Sequence, residues 1–76
     1  MMYAIMCMRD DSGWCIIEQA IKMAAADGGW EYQPIKQYWV MLNSEEGEWY
    51  PHGKFGDINK AIKRMELIID GQIEPW

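Results

Sequence analysis

Trp14-Cys15-Ile16-Ile17-Glu18-Gln19-Ala20-Ile21-Lys22-Met23-Ala24-Ala25-Ala26-Asp27 is the stretch on which the fold turns, because it supports two readings. As a helix, Asp11 or Ser12 caps its start and Trp14, Ile17, Ile21 and Ala24 fall on one face. Glu18 then pairs with Lys22 one turn on, and Gly28 closes the C-terminus. As a hairpin, residues 14–17 return along the preceding strand and only 19–27 are helical. The longer helix is preferred, since Trp-Cys-Ile-Ile does not alternate whereas the 3.6-residue spacing runs to the Asp-Gly-Gly stop.

Upstream, residues 2–9 are rich in Met, Tyr and Ile without polar alternation, which suits a strand covered on both faces and central in its sheet. Downstream, residues 28–37 read as a loop or irregular extension carrying Trp30, Tyr32 and Pro34. Tyr38-Trp39-Val40-Met41-Leu42 then has the β-branched and aromatic content of a strand. Asn43-Ser44-Glu45-Glu46-Gly47 is a hairpin turn with Gly47 available for a positive φ, and Glu48-Trp49-Tyr50 starts the return strand until Pro51 weakens it. After the loop at 52–56, Asp57 caps a second helix with Ile58, Ala61, Ile62, Met65 and Ile69 on one face and Lys60, Lys63 and Arg64 opposite. Asp70-Gly71 ends it, Phe55 anchors its start, and residues 72–74 add a short edge strand. The expected fold is therefore a single α+β domain spanning 1–76, a small, mainly antiparallel sheet of three to four strands packed against two helices near 14–27 and 57–70. A faint echo at an offset of 35 residues sets Tyr3, Asp10, Asp11 and Trp14 against Tyr38, Glu45, Glu46 and Trp49. If it is structural, it favours the hairpin reading of 14–17.

Seventy-six residues suffice for one domain, which excludes multidomain enzymes and transporters. Half the residues are hydrophobic and a quarter charged, outside the range of disordered chains. The apolar run at 1–8 is too short for a signal peptide or a membrane span, and two cysteines fall far below the density of secreted disulfide scaffolds. The chain is expected in the cytoplasm, with Cys7 and Cys15 as reduced, core-filling thiols and no membrane contact.

The chemistry-bearing patterns are mostly missing. One histidine, His52, and two cysteines separated by seven residues offer no metal-ligand spacing, and no third residue orients His52 toward either thiol. His52-Gly53-Lys54-Phe55-Gly56 precedes a helix but lacks the rest of a phosphate-binding loop. No catalytic residue, cofactor or metal is expected, and the chain is read as a protein without enzymatic activity. Twelve acidic against seven basic side chains give a net charge of −5, which opposes direct nucleic-acid binding and favours a basic partner.

Two features remain. Asp10 and Asp11 sit at one turn, and Glu45, Glu46 and Glu48 crowd another. Carboxylates on rigid turns present a phosphate-like pattern to a protein that grips nucleic acid with Lys and Arg. Five tryptophans and four tyrosines are also too many for one small core. Trp14 and Trp39 are assigned to the core or the sheet face. Trp30, Trp49, Tyr50 and Trp76 fall in loops, beside the acidic turn or at the terminus, where such side chains serve as binding anchors. The expected partner-binding set is Glu45, Glu46, Glu48, Trp49, Tyr50, Asp10, Asp11 and Trp30.

In its general character, with Asp10-Asp11, Glu45-Glu46-Gly47-Glu48 and surplus tryptophan, the chain resembles the small inhibitors encoded by phages and mobile elements, including anti-CRISPR and anti-restriction proteins. The resemblance implies a non-catalytic inhibitor that occupies the basic, nucleic-acid-handling surface of a host defence complex. The alternative expectation is a general interaction module, or one that assembles as a homodimer.

Overall fold

The structure, a computed structural model, describes residues 2–75. Strands β1 (Met2–Arg9), β2 (Trp14–Ala24), β3 (Trp30–Asn43) and β4 (Trp49–Phe55) form one antiparallel sheet in the order β1-β2-β3-β4, followed by helix α1 (Ile58–Ile69). The sheet is a simple up-and-down meander with α1 on one face only, and the molecule is elongated at 48 × 28 × 18 Å.

All three hairpin turns are built alike. The N–H of Asp10, Ala25 or Ser44 donates to the carbonyl four residues on, at 2.8–2.9 Å. In each, the N–H of the glycine three residues on donates back to the first residue's carbonyl. Those glycines, Gly13, Gly28 and Gly47, have φ of +98°, +89° and +84°. This is the three-residue loop whose last position is left-handed, the conformation glycine reaches without a Cβ clash.

The expectation of a helix at 14–27, and with it a sheet packed against two helices, is therefore corrected: residues 14–24 are the second strand, and α1 is the only helix among the described residues. The signals read as helix caps were turn signals. A polar cluster followed by glycine serves a helix end and a three-residue hairpin loop equally well, and here the β-branched Ile16, Ile17 and Ile21 between the two turns pair on both sides. Residues 30–37, expected as a loop, belong to β3, which tolerates Pro34 next to an irregularity where Lys36 has φ of +55°. The first strand is an edge and not central, and residues 72–74 are not a strand. The echo at 35 residues does not mark equivalent positions, because the first and third turns correspond at 34, Gly13 with Gly47.

The helix at 58–69 forms where it was expected. The Asp57 carboxylate accepts the Asn59 N–H at 2.8 Å, and the far end closes with Gly71 N–H to the Ile68 carbonyl and Gln72 N–H to the Leu67 carbonyl, both at 3.0 Å. Ala61, Met65 and Ile68 face the sheet and meet Trp14, Ile16 and Val40, with Tyr38, Leu42, Phe55, Ile62 and Ile73 around them. The tail is held by His52, whose Nδ1 donates to the Pro75 carbonyl at 2.7 Å while its ring meets Trp14 edge-on.

Gly13 also locks the first turn to the third strand, since its carbonyl accepts the Asn43 N–H at 2.9 Å and a Cβ on it would stand 2.9 Å from the Asn43 carbonyl oxygen. Gly47 has the same sign of φ and open space around it. Gly13→Ala is thus expected to destabilise by about 2–3 kcal/mol and Gly47→Ala by only about 1 kcal/mol, read as the difference in urea midpoints. Equal losses would mean that the Gly13–Asn43 contact does not hold the turn.

Candidate functional site

Because the strands alternate up and down, the β1–β2 and β3–β4 turns lie at one end of the sheet and the β2–β3 turn at the other. The first end gathers Asp10, Asp11, Glu45, Glu46 and Glu48, five of the twelve acidic residues, with Arg9 as the basic neighbour. Arg9, Asp10, Asp11, Gly13, Cys15, Asn43 and Trp49 line a depression of about 250 Å³ between the two turns.

The carboxylates have different duties. Asp10 accepts the Ser12 N–H at 2.9 Å, and the Ser12 hydroxyl and N–H together hold its carboxyl below the usual aspartate range. Asp10 thus stabilises its own turn at neutral pH. Its folded-state pKa is depressed, so that contribution is complete above the ordinary aspartate value and disappears as pH falls through the lowered one. Glu48 accepts a hydrogen bond from the Tyr50 hydroxyl, which raises the pKa of the phenol, and the Glu48 N–H donates to Ser44 Oγ at 3.1 Å. The carboxylates of Asp11, Glu45 and Glu46 project into solvent and make no side-chain hydrogen bond or ion pair with another described residue.

Trp49 joins this end to a second feature. On the sheet face that α1 leaves bare, Ala4, Met6, Ile17, Met41 and Trp49 line a shallow trough of about 330 Å³. It continues along Ala4, Ile17 and Met41 into another, of about 320 Å³, bordered by Tyr3, Gln19, Trp39 and Pro51. Lys54 Nζ lies 5.6 Å from the Trp39 ring. The Gln19 side-chain oxygen is buried here without a hydrogen-bond partner among the described residues. Trp49 is 46% exposed, so a large aromatic surface sits where the apolar trough meets the carboxylates.

Trp30 lies elsewhere. It begins β3 at the far end, 68% exposed, with Lys22 Nζ 5.2 Å from its ring. The structure therefore brings seven of the eight expected partner-binding residues, Asp10, Asp11, Glu45, Glu46, Glu48, Trp49 and Tyr50, to one end and separates Trp30 from them. Trp76 is outside the described residues. Trp14 is in the core and Trp39 is half-buried on the bare face.

The trough residues Met6, Ile17, Met41 and Pro51 went unread in the sequence. Their signal was the Ile16-Ile17 pair itself: once 14–24 is a strand, adjacent apolar residues face opposite sides, so the side without the helix is apolar too.

Neither thiol is set up as a nucleophile. Burial raises the pKa of Cys15 although Arg9 opposes the shift; Cys7, expected to fill the core, is instead exposed on the edge strand, and partial desolvation followed by the nearby Glu18 raises its pKa. Among the described residues no group of three or more His, Cys, Asp or Glu side chains is arranged to hold a metal ion. No described helix is long and apolar enough to cross a membrane. On the helix, Arg64 stacks 5.8 Å from the Phe55 ring, and Lys60 and Lys63 are exposed.

Comparison with protein-family models, with curated proteins and with solved structures finds no match for this chain.

Proposed function

We propose that this chain is a non-catalytic binding protein that occupies a basic surface of another protein, of the kind that handles nucleic acid, and so inhibits it. The observation that carries the reading is the joining of two chemistries at Trp49: a carboxylate-rich end that attracts Lys and Arg, and an apolar trough that gives a docked partner something to bury. Charge alone steers and selects a partner but adds little affinity when exposed, whereas a half-exposed tryptophan beside a trough supplies an anchor. Asp11, Glu45 and Glu46 are free to reach a partner's cations, while Asp10 and Glu48, engaged in local hydrogen bonds, keep their charge and add to the steering field. The resemblance in general character to phage and mobile-element inhibitors makes a host defence complex the proposed partner class.

The test is recovery of the partner with the tagged chain from a lysate of the cells in which it is native, followed by competition. A nucleic-acid-binding protein should be recovered, and added nucleic acid should displace the chain from it. Recovery of a partner that binds its nucleic acid and this chain together without competition would overturn the inhibitory reading.

A further inference from the structure

We propose that β1 is a pairing edge for a second copy of this chain, so that two four-stranded sheets join through antiparallel β1 strands into one of eight. The two edges of the sheet differ. The β4 edge carries Pro51, which has no N–H, and a bulge at His52, the residue that also holds the tail at Pro75. The β1 edge is less protected: residues 2–8 contain no charge and no proline, and the bulge at Cys7 leaves residues 2–6 straight. Helix α1 packs on β2, β3 and β4, leaving β1 bare on both faces, with Ile5 38%, Met6 45% and Met8 37% exposed. An apolar strand open at its edge and on both faces is the feature that monomeric sheets avoid.

The register follows from geometry. The bulge at Cys7 confines the straight run to residues 2–6. A two-fold axis perpendicular to the sheet keeps both helices on one side and matches residues of like face. Centred on the run, it sets Ala4 opposite Ala4 of the second copy and Tyr3 opposite Ile5.

Charge selects the second copy as the occupant. A basic partner finds nothing to pair with on residues 2–8. Antiparallel pairing sends the two acidic ends in opposite directions, roughly 40 Å apart at about 3.3 Å per residue. That is several Debye lengths at physiological salt, so the charge of −5 per chain does not oppose association. The stretch of β3 at residues 30–37 that β4 leaves unpaired carries Glu31, Pro34 and Lys36, whereas the two-fold pairs β1 with β1 and so closes at a dimer. This inference does not rest on the proposed partner, and the acidic ends stay free in such a dimer.

Sedimentation velocity over a concentration series, with hydrogen exchange measured on the same samples, tests it. A monomer–dimer equilibrium is expected in which exchange of β1 amides slows as the dimer fills. Ala4→Lys and Ala4→Glu each alter an exposed residue and should each weaken the dimer roughly fivefold or more by setting like charges opposite. Mixing the two variants should restore it. A monomer up to millimolar concentration, or a dimer that forms without added protection in β1, overturns the proposal. So does a dimer indifferent to both charges. Should either variant fail to fold, the exchange pattern of the unmodified chain alone decides.

Discussion

Ile16→Ala is expected to destabilise the fold by about 2–5 kcal/mol, the range for truncating a fully buried aliphatic side chain. Ile16 is completely buried where β2, β3 and α1 meet, between Val40 and the helix residues Ala61 and Met65. A domain of this size has roughly 4–11 kcal/mol in total, so the variant should lose a large share of its urea midpoint and be partly unfolded on warming. Its neighbour gives the contrast. Ile17 points to the bare face and is half-buried, so Ile17→Ala should cost about 1 kcal/mol. Equal effects at 16 and 17 would mean that something covers the second face.

The second large effect concerns binding. Glu45, Glu46 and Glu48 are exposed at the tip of the β3–β4 hairpin, so replacing all three with Gln should leave stability within about 0.5 kcal/mol per substitution. Partner association should slow by about tenfold or more at low salt as steering is lost. Trp49→Ala acts on the other rate: removing a central aromatic anchor typically costs about 2 kcal/mol or more, which is roughly a thirtyfold faster dissociation. Stopped-flow or surface-binding kinetics with the recovered partner separates the two. Trp30→Ala, at the opposite end, should change neither rate and serves as the control.

Which parts of this were legible in the sequence follows from how unique each signal was. The helix at 58–69 was readable because its cap, its apolar face and its glycine stop all agree, with Asp57 and Gly71 in the roles their positions imply. The acidic hairpin was readable because the turn signal at Ser44 to Gly47 is flanked by strand-like residues, Tyr38 to Leu42 before it and Trp49-Tyr50 after it. The second strand was not, because Gly13 and Gly28 are left-handed in hairpin loops and would also have served around a helix. Ala20 and Ala24–Ala26 raised the helical propensity while Ile16, Ile17 and Ile21 carried the strand, and pairing on both sides decided the matter. That one exchange moved the first strand from the centre to an edge. It also bared the face on which Ile17, Trp39 and Met41 now lie. The clustering of Asp10 and Asp11 with Glu45, Glu46 and Glu48 depends on strand order, which residue spacing alone does not encode, and so does the separation of Trp30 from them.

The measurement that bears most directly on the account is the association rate of this chain with its recovered partner as ionic strength is raised, for the wild-type chain and for the variant with Glu45, Glu46 and Glu48 replaced by Gln. Steering by the acidic end predicts a wild-type rate that falls steeply with salt and a variant rate that starts lower and falls less steeply, the two meeting at high salt. Identical salt dependence in both would contradict it, and would reduce the acidic end to a pair of solvated turns.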